Sequence, residues 1–167
     1  ARIDPGNAEV VIGGEFTSIG GVSRNGIARL LADGTLDTTF DPGTGVDGVV
    51  YALAVQAGGK VLVGGSFGGV DIHSPNNITR LNADGSLDTT FGDDGAFQVD
   101  LGSSSEDVRD LGVQSDGQIV VLGNTMNMAT NSLDVVLLRL NADGTPDNSF
   151  GTGGVAISDL GGMEEPR

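Results

Sequence analysis

The chain has 167 residues and 16.8 kDa, enough for one core of ordinary size. Its 29 glycines follow no collagen period, cysteine is absent and mean hydropathy is +0.03, which excludes fibrous, disulfide-framed and disordered classes together with thiolate metal sites. Eight basic residues against 23 acidic leave a net charge of −15, which repels phosphate backbones and excludes nucleic acid as a partner. No apolar run reaches the ~18 residues of a transmembrane segment, and the single His excludes a multi-histidine metal site.

In chain order, Ala1-Arg2-Ile3-Asp4-Pro5-Gly6 opens without an initiator Met, a basic stretch or an apolar leader. It matches the turn between the first and second strands of the later copies, so the chain is expected to be part of something longer. The first copy follows: Val10-Val11-Ile12-Gly13-Gly14-Glu15-Phe16, then Gly26-Ile27-Ala28-Arg29-Leu30, then Ala32-Asp33-Gly34-Thr35-Leu36-Asp37-Thr38-Thr39-Phe40. The second runs Val61-Leu62-Val63-Gly64-Gly65-Ser66-Phe67, Asn77-Ile78-Thr79-Arg80-Leu81 and Ala83-Asp84-Gly85-Ser86-Leu87-Asp88-Thr89-Thr90-Phe91. The third runs Ile119-Val120-Val121-Leu122-Gly123, Val136-Leu137-Leu138-Arg139-Leu140 and Ala142-Asp143-Gly144-Thr145-Pro146-Asp147-Asn148-Ser149-Phe150. Arg29, Arg80 and Arg139 stand 51 and 59 residues apart, and Phe40, Phe91 and Phe150 keep the same spacing. Periods of this size mark solenoids, propellers and arrays.

Each copy predicts four short strands, which in the second are a (51–56), b (60–67), c (77–82) and d (87–91). Ala57-Gly58-Gly59 and Ser115-Asp116-Gly117 are hairpin turns between a and b, and the apolar b runs suit strands covered on both faces. No stretch has a helical period. The fold class expected is all-β: a β-propeller segment of about three four-stranded antiparallel blades without substantial helix. The blades are placed at 1–46 (lacking most of its first strand), 47–104, and 105–167 with the start of the next junction. The extra segments 96–101 and 155–160 are assigned to the blade periphery. An unpaired edge is expected beside residues 10–16, to be met by more chain or by a neighbouring subunit.

The run 52–67, Ala-Leu-Ala-Val-Gln-x-x-Gly-Lys-Val-Leu-Val-Gly-Gly-x-Phe, followed by Arg-Leu-Asn-Ala-Asp-Gly-Ser-Leu-Asp-Thr-Thr-Phe-Gly at 80–92, resembles the delta-sixty repeat of bacterial secreted and surface proteins. The resemblance spans nearly the whole chain. It implies a propeller-like fold in an extracellular or cell-envelope setting, and it carries no catalytic residues. The first copy departs from the pattern at Leu31, where the others have Asn82 and Asn141.

Asn82, Asp84 and Asp88 offer oxygens at the first, third and seventh positions of a calcium-like loop, without the closing acid such loops use. The competing reading is an Asp-Gly turn, which is preferred. The pairs Arg29/Asp37, Arg80/Asp88 and Arg139/Asp147 share a spacing of eight and are read as structural ion pairs between strands or blades. Asp71, His73 and Ser74 lie on one loop, too close in sequence to face one another as a triad. The Gly-Gly pairs are read as close approaches between blades.

The copies differ most in the b–c loops, where Ser18, Arg24, Asp71, His73, Asn76, Met126 and Asn131 are candidate interaction residues. The expected function is therefore non-enzymatic: a structural or interaction module, without a cofactor. Its partners would be further blades of the same polypeptide, neighbouring subunits, a surface protein or a glycan. Two alternatives stand beside it: part of a propeller hydrolase or lyase whose catalytic residues lie elsewhere, and a calcium-stabilised surface repeat.

Overall fold

A computed structural model describes residues 2–3, 9–70, 77–98, 107–127 and 132–158, with the backbone alone described at 2, 3, 127, 132 and 133. The elements in order are β1 (Arg2–Ile3), β2 (Val10–Gly13), β3 (Ser18–Ile19), β4 (Val22–Ser23), β5 (Ile27–Leu30), β6 (Val49–Val55) and β7 (Val61–Ser66). They continue with β8 (Ile78–Leu81), β9 (Ala96–Phe97), β10 (Asp107–Val113), β11 (Ile119–Asn127), β12 (Ser132–Leu140) and β13 (Val155–Ser158). A 3-10 turn, Ala57–Gly59, joins β6 to β7. No helix among the described residues is long and apolar enough to cross a membrane.

The named strands pair antiparallel, giving sheets β1-β2-β5, β6-β7-β8-β9 and β10-β11-β12-β13, plus the small β3-β4 hairpin. Alternation of side chains along a strand divides the β6-β7-β8-β9 sheet between two cores. From β7, Val61 and Val63 join Val11, Ile27, Phe40, Val50 and Leu53 in the core shared with the first sheet. Leu62, one residue out of phase, joins Phe91, Val108, Leu111, Ile119, Val121 and Leu138 in the core shared with the third. The three sheets are thus stacked face to face, as propeller blades are, and no sheet has a core of its own.

Two glycines set how closely the sheets approach. A Cβ on Gly13 would lie 2.5 Å from Val50 Cγ1, and one on Gly64 would lie 2.6 Å from Val108 Cγ1 and 2.7 Å from Leu111 Cδ2. The first strand of each following sheet therefore drops its aliphatic side chains into the space that a missing side chain leaves. In the third sheet the equivalent residue is Leu122, which is exposed.

Two expectations are corrected. The fourth strand is not 87–91 but β9 and β13, drawn from the segments assigned to the blade periphery. Leu87 contributes only an isolated bridge to Leu81, because the chain then coils around Asp88, whose carbonyl accepts from Phe91 N at 3.0 Å. The link 41–48, eight residues shorter than its later counterpart, has no such strand. It turns instead, with Gly45 N donating to Pro42 O and Val46 N to Asn25 O, so the first sheet has three strands. The edge beside residues 10–16, expected to be unpaired, is met at Val11 and Val10 by Arg2 and Ile3.

Gly64→Ala is expected to cost about 1–3 kcal/mol through overpacking at the Val108–Leu111 contact. A urea melt should show a lower midpoint at unchanged slope, and an unchanged midpoint would contradict the close fit of the second and third sheets.

Candidate functional site

The recurrent polar residues converge at one kind of place, where each sheet meets the turn of the next. Arg29 lies on β5, Arg80 on β8 and Arg139 on β12. In each, Nε donates to the carboxylate eight residues on: Arg29 to Asp37 Oδ2 at 2.8 Å, Arg80 to Asp88 Oδ2 at 2.7 Å and Arg139 to Asp147 Oδ2 at 2.7 Å. The other carboxylate oxygen closes a turn on the residue two further along. Asp37 Oδ1 accepts from Thr39 Oγ1, Asp88 Oδ1 from Thr90 Oγ1 and Asp147 Oδ1 from Ser149 Oγ, at 2.6, 2.6 and 2.7 Å. The guanidinium also stacks on the phenylalanine ring of its own copy, at 5.0 Å from Phe40, 4.7 Å from Phe91 and 4.9 Å from Phe150.

The remaining guanidinium nitrogen crosses to the next copy. Arg29 Nη1 donates to Ala83 O at 2.8 Å, and Arg80 Nη1 donates to Ala142 O at 2.7 Å. Beside them, Asp41 N donates to Asp84 O and Gly92 N donates to Asp143 O, each at 2.7 Å. The Asp-Gly turn therefore presents two consecutive carbonyls to the preceding sheet. Its glycine lies flat against that sheet, for a Cβ on Gly85 would meet Asp41 N at 2.7 Å and one on Gly144 would meet Gly92 N at 2.6 Å. Both glycines also have positive φ, 92° and 89°, which a side chain would strain.

Asn82, Asp84 and Asp88 share this turn, but its own donors engage them. Asp84 Oδ1 accepts from Ser86 N and Ser86 Oγ at 3.0 and 2.6 Å, and Asn82 Nδ2 donates to Ser86 Oγ and Leu87 O. Asp88 Oδ2 faces two cations, Arg80 and Lys60. This is the hydrogen bonding of an Asx turn rather than of oxygens converging on an ion. Among the described residues, no group of three or more His, Cys, Asp or Glu is placed to hold a metal.

The residue preceding the second strand of each copy completes the cluster, and sequence reasoning missed it. Lys60 pairs with Asp88, Gln118 Nε2 donates to Asp147 Oδ2 at 2.9 Å, and Glu9 lies 3.1 Å from Arg29 Nε. Their positional equivalence was legible, but three different residue types concealed a shared role. The Arg–Phe stacking was also missed, although its signal was present as Phe held in step with Arg in all copies.

Of the loop candidates, Ser18, Arg24 and Met126 are described. Ser18 lies on β3 opposite Ser23 of β4, and Gly20 and Gly21 make the turn at φ 57° and 83°. Arg24 is turned back onto the sheet, with Nη1 donating to Ser23 O at 2.9 Å and lying 4.0 Å from Asp41. Met126 sits on β11 opposite Leu133, in a hairpin that continues the sheet. Asp71, His73, Ser74, Asn76 and Asn131 lie outside the described residues.

The link between the first and second sheets brings the ends of two b–c loops together. Asn25 Nδ2 donates to Thr44 O at 2.8 Å, Asp47 Oδ1 accepts from Gly68 N at 2.8 Å and from Gly69 N, and Val46 bridges to Val70. A cleft opens there, lined by Glu15, Phe16, Thr17, Asn25, Val46 and Gly48.

Burial opposes ionisation of Asp88, but hydrogen bonds from Lys60, Thr90 and Arg80 outweigh it and hold the carboxyl well below the usual range. Asp37 is lowered against burial by Thr39 and Arg29, and Asp147 is lowered by Ser149 and Arg139.

Arg80→Ala removes an ion pair, a ring contact and a cross-copy bond at a site where Asp88 stays buried, at an expected cost of about 3 kcal/mol. Arg139→Ala, at a more open position, is expected to cost less, and the two chemical-denaturation midpoints check the order. Because the native carboxyls titrate below the unfolded value of ~3.9, their contribution is complete above it and is lost as pH falls through it toward the native values. Melting temperature should therefore hold from neutral pH down to that region and then fall. Asp88→Asn should lower it at neutral pH and flatten the acid limb, whereas an unchanged limb would place the titrating groups elsewhere.

The chain matches the beta-propeller family described as a domain of unknown function (DUF5122) over residues 9–40, 56–91 and 114–150, one segment in each copy. Searches of the curated proteins and of the solved structures found no match. With well over half its length matched, and the matched segments coinciding with the three stacked repeats, the chain belongs to this beta-propeller family.

Proposed function

We propose that the chain is a non-enzymatic propeller module of the delta-sixty type, in an extracellular or cell-envelope protein of a bacterium. Its sheets serve as a frame, and its b–c loops bind a surface protein or a glycan. One observation carries the reading. The polar side chains that recur in all three copies bond to one another and to the backbone of their own or the next copy. What varies between copies is the b–c loop: a two-strand hairpin at 18–23 in the first, and in the third a sheet hairpin extended to the Asn127–Ser132 pair. An invariant frame carrying variable loops is the usual arrangement of a binding scaffold. Glu15, Thr17 and Asn25 in the cleft offer hydroxyl, amide and carboxylate groups suited to a polar ligand.

The test uses intact cells of a native producer. Antibody to the chain and added protease should both reach it while a cytoplasmic marker is spared, and protection until lysis would refute the location. Purified chain incubated with a panel of surface polysaccharides should release no reducing or unsaturated ends. Catalytic release would refute the non-enzymatic reading.

A further inference from the structure

The first strands of the second and third sheets are irregular at the same place. Pairing of β6 with β7 shifts between Val50 and Ala52, and pairing of β10 with β11 shifts between Val108 and Asp110. Tyr51 and Arg109 are therefore the extra residues of two equivalent β-bulges. Each bulge presses on a glycine of the neighbouring strand. A Cβ on Gly65 would run into Val49 O, and one on Gly123 would lie 2.9 Å from Asp107 O. Val50 packs in one core, and Ala52 and Val108 pack in the other, so the backbone on either side of the bulges is held. A bulge re-aims one side chain out of the alternation of its strand, and bulges are over-represented next to active sites.

The two re-aimed side chains meet. Arg109 Cζ lies 5.1 Å from the centre of the Tyr51 ring, and Arg109 Nη2 donates to Asp107 Oδ2 at 3.0 Å. Tyr51 is 44% exposed, and the Arg109 side chain is 48% exposed. The arginines of the frame are spent by comparison. Arg80 gives Nε to Asp88 and Nη1 to Ala142 O, over a buried ring. Arg109 keeps Nε and Nη1, and Tyr51 keeps its hydroxyl, without a partner among the described residues. The bulge residue also differs between the two copies, tyrosine in one and arginine in the other, while the frame residues stay the same.

We propose that Tyr51, Arg109 and Asp107 form a binding site for an uncharged saccharide. Charge selects this class. An anionic ligand would have to displace Asp107 from Arg109, beside Asp110, in a chain that carries −15. A cationic ligand would meet the guanidinium. An uncharged sugar has neither difficulty. Its neighbouring hydroxyls accept from Arg109 Nε and Nη1 and donate to the Asp107 carboxylate. Its C–H face covers the exposed part of the Tyr51 ring, which Arg109 already holds in place. The site lies on the first strands rather than on the b–c loops, so it stands or falls separately from theirs.

Tyr51 is the only tyrosine and the chain has no tryptophan, so tyrosine emission of the full chain reports this site alone. Cellotetraose, maltotetraose, mannotetraose and chitotetraose serve as uncharged probes, with tetragalacturonate as the anionic and tetralysine as the cationic one. At least one uncharged probe should change the emission saturably, and calorimetry should return the same dissociation constant. Arg109→Gln should melt like wild type, since a half-exposed ion pair adds little stability, and should weaken that binding about tenfold. Tyr51→Ser, read by calorimetry, should weaken it at least as much, and it carries the test if Arg109→Gln melts lower. Three outcomes would each overturn the proposal: no uncharged probe changes the emission, tetragalacturonate or tetralysine binds more tightly than all of them, or both variants bind like wild type.

Discussion

The structure depends on a guanidinium with three simultaneous engagements. Its Nε is fixed by a carboxylate in its own copy, its face lies on a phenylalanine, and its Nη1 reaches a backbone carbonyl of the next copy. Only arginine has the flat fork that meets all three at once, since a lysine ammonium at that place could pair with the carboxylate but not also stack and bridge. The carboxylate in turn is fixed by the hydroxyl two residues on, so the geometry is set by a short closed circuit of hydrogen bonds. Buried charge is costly unless fully partnered, and this circuit partners it.

From that constraint follows the way the sheets stack. The first and second arginines define where the next Asp-Gly turn must lie, and the turn sets the start of the next sheet's outer strands. The close approach at the other side is set sterically, by Gly13 and Gly64 receiving aliphatic side chains of β6 and β10. The middle sheet therefore contributes one face to the core before it and one to the core after it, with β7 supplying both through alternate residues. Stability in such an array is a sum of neighbour terms, and a sheet separated from its neighbours would leave an apolar face in water. The b–c connections vary more freely, so that a hairpin occupies 18–23 in the first copy and an extended sheet hairpin closed by the Asn127–Ser132 pair the third.

Much of this was legible from residue order. Three phased copies of Arg, Asp-Gly and Phe, with continuous apolar runs and no helical period, pointed to an all-β repeat protein whose strands pack between neighbouring sheets. The Asp-Gly turns were legible for the same reason, because positive φ and an Asx carboxylate are local properties. Segment 87–91 misled because Leu87 and Phe91 look like strand residues, although the second Asp turn coils the chain before a ladder can form. The strand at Ala96–Phe97 was passed over because two residues carry almost no periodic signal, and its identity comes from the partner it finds in β8.

Residue order alone thus carried the repeat and the strand content. Those depend on local conformational preference and on recurrence at fixed spacing. The three-dimensional packing alone settles which carbonyls Arg29 and Arg80 reach, which residues make the fourth strand, and that among the described residues Gly34 is open while Gly85 and Gly144 are covered. Identical local sequence at the three turns has different surroundings, because each turn's environment is supplied by the copy before it. Contacts across more than fifty residues of chain (Arg29 to Ala83, Arg80 to Ala142) leave no mark on local propensity.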